Sequence, residues 1–141
     1  MWTHRSLHAW QEAREVTRAA FRAARLYWRP QGAAMFAQLQ RAALSIQLNI
    51  AEGFAVGDRG RFGYHLAVAY GSAVESGELL EIGIEEELLP REFGLDALSH
   101  CRRCERLLLG LLKRYRPLKG HRQPTTDNRP PTTDHRQPLT G

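Results

Sequence analysis

Between Met35 and Phe54 the residues Met35, Leu39, Ala42, Ile46, Ile50 and Phe54 recur every third or fourth position. That is the period of a helix with one apolar face, where a strand would alternate every second residue. A helix over about 33–54 must bury that face, and the most direct cover is more helices. Beside the stripe runs a second set with the same period: Gln38, Arg41, Ser45, Asn49 and Glu52. Polar groups so close to a buried surface need partners, since each one left unpaired costs about 1–3 kcal/mol. The set reads as a structural network that fixes how neighbouring helices pair, with Ser45, Asn49 and Glu52 at its centre, in preference to a catalytic carboxylate at Glu52.

Three further helical patterns surround this one. Leu7, Trp10, Ala13, Thr17, Ala20, Phe21, Ala24 and Tyr27 mark the core side of a helix between Ser6 and Trp28, with Thr3 or Ser6 placed to cap it. Pro30 and Gly32 break it. The second helix is expected to stop near Gly53, where three glycines in Gly53–Gly60 make a turn, and Asp58 is placed to cap the third. That third helix is expected over about 61–89, stopped by Pro90. Its middle is small (Ala67, Ala69, Gly71, Ser72, Ala73, Ser76, Gly77), and its second half carries Glu75, Glu78, Glu81, Glu85, Glu86 and Glu87. So long a helix with so little side-chain bulk needs neighbours on more than one side. A fourth, from near Leu95 with Asp96 favourable at its start, turns Leu98, Cys101, Leu108, Leu111, Leu112 and Tyr115 to the core. Four amphipathic helices on short connections read as an all-α, up-down-up-down four-helix bundle over residues 1–116.

From Pro117 the composition changes. The units 121–127, 128–134 and 135–141 are three copies of one seven-residue Pro/Thr-rich repeat, with almost nothing apolar to bury. Residues 117–141 are therefore expected to be an extended, disordered tail that the bundle does not need.

Composition narrows the function. A net charge of +5 favours acidic partners such as nucleic acid. No apolar run approaches the roughly 20 residues of a membrane span. Arg5 and Glu12 interrupt the region where a signal peptide would be apolar, and two cysteines make no disulfide framework, so a cytoplasmic protein is expected. Several chemistries fail on the residues. Cys101 and Cys104 lack the βαβ setting of a redox pair and the four ligands of a closed zinc site. A di-iron bundle needs Glu-x-x-His pairs, and none occurs. The glycines before the third helix follow a helix and lack a Gly-Lys-Ser/Thr ending, so they make no phosphate loop. No Ser/His/Asp arrangement stands out. The expectation is no enzyme, no cofactor and no metal.

One polar feature is left. Arg14, Arg18, Arg22, Arg25 and Arg29 follow at intervals of four, four, three and four, which on a helix places all five on one face. Arginine's forked donors suit phosphate. The fourth helix adds Arg102, Arg103, Arg106, Lys113 and Arg114, and in an antiparallel bundle it neighbours the first, so the two basic surfaces are expected to merge. Trp28 is the one aromatic placed for base stacking at that edge. Backbone contact with little sequence discrimination follows.

Ser45-Ile46, Asn49-Ile50-Ala51-Glu52-Gly53, and then Ala69-Tyr70-Gly71-Ser72 with Glu75, resemble the signature of the four-helix-bundle family named after proteins encoded in intervening sequences of 23S rRNA genes. The chain is similar, more distantly, to the accessory proteins of diversity-generating retroelements. The resemblance spans roughly 7–115, opening at Trp10-Gln11-Glu12-Ala13, and Gln47 stands where the family pattern has a proline. It implies a homopentamer, and it brings Ser72 and Glu75 into the network of Ser45, Asn49 and Glu52. The resulting expectation is a non-enzymatic scaffold for RNA or DNA that accompanies a reverse transcriptase, with no membrane partner. The alternative is a structural or protein-interaction oligomer without nucleic acid.

Overall fold

The computed structural model describes residues 2–115. Four helices follow in order: α1 (His8–Tyr27), α2 (Ala33–Val56), α3 (Arg59–Glu85) and α4 (Arg91–Arg114). Short 3-10 turns at His4–Ser6 and Pro30–Gly32 precede α1 and α2. Each helix packs on its chain neighbours, and α4 closes the ring against α1. The bundle is all-α and up-down-up-down. The tail over 117–141 lies outside the described residues.

The core is built of Val16, Phe36, Leu39, Ile46, Ile50, Leu66, Leu80 and Leu108, each essentially excluded from solvent. Between them Ala13, Ala20 and Ala23 of α1 and Ala69, Ala73 and Ser76 of α3 are equally buried. These small side chains let the helix axes approach where branched ones would hold them apart. Within α2 the apolar stripe faces this core, and the helix runs unbroken through Gln47.

Several boundaries differ from the sequence pattern, each for a local reason. Gly53 does not end α2. It lies inside the helix against α3, where a Cβ would stand 2.7 Å from Cβ of His65 and 2.9 Å from Cδ2 of Phe62. The stop is Gly57, at φ 70°, a left-handed conformation that glycine adopts without steric cost. Asp58 caps α3 as expected, its Oδ1 accepting from the amides of Gly60 at 2.8 Å and Arg61 at 3.4 Å. At the other end α3 stops before Pro90. Glu87 turns to φ 55°, and the amides of Leu88 and Leu89 both donate to the Gly83 carbonyl. Pro90 instead precedes the first turn of α4, which therefore starts at Arg91 and not near Leu95. Neither Thr3 nor Ser6 caps α1: its N-cap is Leu7, without a side-chain bond.

Candidate nucleic-acid interface

The arginines of α1 are the starting point. Arg14, Arg18, Arg22 and Arg25 all project from its exposed side. Among the described residues Arg22 and Arg25 have no carboxylate partner, and Arg14 lies 5.9 Å from the centre of the Trp10 ring. Arg18 meets Glu15 at 3.5 Å with both side chains well exposed, so this face is less one-sided than the spacing implied. Such a pair is worth about 0–1 kcal/mol and leaves the guanidinium available. Arg29 does not belong to the face. The helix ends at Tyr27, Arg29 is extended, and its guanidinium donates to the Glu87 carbonyl, tying the α1–α2 connection to the α3–α4 connection at the same end of the bundle.

A hollow of about 850 Å³ runs along this face, lined by Arg18, Arg22, Arg25 and Phe21 of α1 and by Phe93, Asp96 and His100 of α4. Phe21, which the spacing placed in the core, is 37% exposed. It stands three residues after Arg18 and four before Arg25, the positions that neighbour it on a helix surface.

The basic residues of α4 do not merge with those of α1. Arg102 turns toward α3, pairing with Glu81 and with Glu105 at 3.6 Å. Arg103 reaches Glu12 of α1 at 3.5 Å, and Glu12 also holds His100 Nδ1 at 2.6 Å. Both arginines thus pair at the surface with carboxylates of the bundle itself. Arg106, Lys113 and Arg114 are exposed, but α4 runs antiparallel to α1. Its last turns therefore meet Leu7–Ala9, with Leu107, Leu111 and Arg114 lining a hollow beside Trp2. A bridge through Glu12, His100 and Arg103 separates that end from Arg18–Arg25.

The polar set on α2 is hydrogen-bonded in two separate parts, with Glu52 at the margin and not at the centre. The amide of Asn49 donates to the Ser45 carbonyl at 2.8 Å and to its Oγ at 3.2 Å. The Ser72 hydroxyl donates to Ser45 Oγ at 2.7 Å. Because that amide nitrogen is engaged, the Asn49 oxygen is the acceptor for His65 Nδ1–H at 3.0 Å, and Glu52 lies 3.9 Å from the same nitrogen. Separately, Arg41 donates to Gln38 at 2.9 Å and Gln38 donates to Glu75. Each such bond contributes about 0.5–1.5 kcal/mol, and the three that cross, Ser72–Ser45, His65–Asn49 and Gln38–Glu75, tie α2 to α3. His65 was missed in the sequence, although its spacing of seven from Ser72 puts both on one face of α3.

Cys101 and Cys104 are fully buried, their thiols donating to the carbonyls of Ala73 at 3.1 Å and Ala9 at 3.5 Å. Burial pushes Cys101 up to about 12, aided by the neighbouring Glu105 carboxylate, and burial raises Cys104 as well. The thiolate is the reactive form. Native protein at pH 8 should therefore resist alkylation at both cysteines while denatured protein reacts fully, as mass spectrometry would read; rapid native labelling would refute this packing. The neutral thiols stabilise the fold fully below the usual value of 9.0, and that contribution is lost as pH rises from there toward about 12.

No helix among the described residues is long and apolar enough to cross a membrane. No curated protein matches the chain. The model of one family matches residues 5–110 of the 141, a span that takes in α1 to α3 and most of α4. The chain belongs to the 23S rRNA-intervening sequence protein family.

Proposed function

We propose that this protein is a non-enzymatic, oligomeric scaffold of the cytoplasm that binds RNA or DNA through the outer face of α1. The observation that carries this reading is the row Arg14, Arg18, Arg22 and Arg25, exposed and with only the weak Glu15 pair to offset it. Assembly as a homopentamer is part of the proposal. Its support is the outward side of α2 and α3, where Leu48, Tyr64, Val74 and Ile82 are each 40% exposed or more. An oligomer repeats the arginine row several times on one particle, so individually weak phosphate contacts combine through high effective concentration. The accessory role beside a reverse transcriptase of a diversity-generating retroelement adds a protein partner. Co-expression and co-purification of the two would test it.

The alternative, a structural oligomer without nucleic acid, is favoured by one observation: Arg102 and Arg103 serve the bundle's own carboxylates. Changing Arg18, Arg22 and Arg25 to glutamine separates the two readings. Affinity for single strands falls with salt by a log–log slope of about 0.7 per phosphate contact, so the triple change should flatten the slope by about 2 and weaken binding, with helicity and mass unchanged. A wild-type protein that binds neither RNA nor DNA at low salt leaves the structural oligomer standing. Binding that survives the triple change moves the site to Arg106, Lys113 and Arg114.

A further inference from the structure

The aromatic ring within the arginine row distinguishes this surface from a plain basic helix. Phe21 exposes a ring 37% open to solvent between Arg18 and Arg25, in the same hollow as Arg22 and Phe93. An isolated phenylalanine on the surface needs no explanation. One flanked at three and four residues by guanidiniums has the two elements of a single-strand site, a π face for a base and donors for the phosphates on either side. Duplexes give such a ring nothing, because their bases are stacked inside and only phosphates and grooves face outward. Two carboxylates share the lining, Glu15 and Asp96. They repel a continuous ribbon of phosphate, and they accept hydrogen bonds from the amino groups of unpaired cytosine, adenine or guanine.

We propose that the hollow along α1 is a single-strand-selective nucleotide site in which Phe21 stacks an unpaired base while Arg18, Arg22 and Arg25 hold the flanking phosphates. This rests on the nucleic-acid reading above and specifies its ligand. Neither Trp28, at the end of the helix, nor the α4 arginines engaged by Glu12 and Glu81 take part.

The test is fluorescence anisotropy at low salt on the full-length protein, with a mixed-sequence single-stranded RNA and a duplex of the same sequence as probes. Wild type should bind the single strand more tightly. Replacing Phe21 with alanine should weaken single-strand binding roughly five- to a hundredfold while duplex binding and the salt slope stay put, as expected for loss of one stacked base. Phe21→Trp, which keeps a π face, should restore the preference. Circular dichroism on the same variants checks that the exposed position leaves the helices intact. Equal affinity for both probes, or no effect of Phe21→Ala, overturns the single-strand site and leaves the scaffold reading in place. Absence of binding to either probe overturns both.

Discussion

Light scattering on the purified chain should give a mass several times that of one 16.0 kDa protomer, near 80 kDa for a pentamer, and the double change Leu48→Arg with Val74→Arg should reduce it to a single protomer. The outward side of α2 carries Ala37, Leu44, Leu48, Ala51 and Ala55, and the outward side of α3 carries Tyr64, Ala67, Gly71, Val74 and Ile82. Helices α1 and α4 present mainly arginines to solvent, with Phe21, Leu26, Leu95, Leu107 and Leu109 exposed among them. On the proposed reading a second copy of the chain covers this stripe, because a helix apolar on both sides buries both. Two arginines placed in such an interface bring uncompensated charge out of water, at a cost of several kcal/mol. Leu48 is 53% and Val74 40% exposed in the single chain, so helicity should hold in the variant. A wild-type mass of one protomer would end the oligomer reading, and a variant that keeps the full mass would place the interface elsewhere.

Replacing Phe36 with alanine should be among the most damaging single changes in the chain. Phe36 is 1% exposed, beneath the turn that joins α1 to α2, where its ring would lie 2.9 Å from a Cβ at Gly32. Removing so buried a ring costs about 3–5 kcal/mol, from the lost transfer energy and the cavity left behind. For a domain of this size that lowers the thermal midpoint by well over about 10 °C. Phe21→Ala, at 37% exposure, should move the midpoint by only a few degrees. Thermal denaturation followed by circular dichroism compares the two directly. Similar losses from both changes would mean that the two rings are equally buried and that Phe21 offers no free face.

Those two phenylalanines show what the pattern of residues can and cannot convey. Phe21 sits one residue after Ala20 and three before Ala24 of the stripe on α1, and Phe36 one after Met35 and three before Leu39 of the stripe on α2. Periodicity locates a face to within a quarter-turn or so, and a ring near its margin goes inward or outward according to the neighbouring helix. The same limit applies to the basic residues. Arg102 and Arg103 are consecutive, and only the placement of Glu81 on α3 and Glu12 on α1 decides that each is paired internally.

Local chemistry was legible where it acts within a few residues. The apolar stripe of α2, the Asp58 cap, and the polar set of Gln38, Ser45 and Asn49 follow from spacing and from the need of half-buried polar groups for partners, whereas Ser72 and Glu75 were brought in by the family resemblance. The helix ends were less so. Gly53 and Gly57 are the same residue type four positions apart, and the difference between them is tertiary: His65 and Phe62 press on one, and nothing approaches the other within 4 Å. Pro90 likewise marks a boundary without saying on which side of it the turn lies. The sequence by itself thus determined four helices and most of their inward faces, because these depend on residues at fixed helical intervals. Which arginines stay free, which phenylalanine is exposed beside them, and where α2 ends were decided by the packing of one helix on another, because each depends on a side chain from a distant part of the chain.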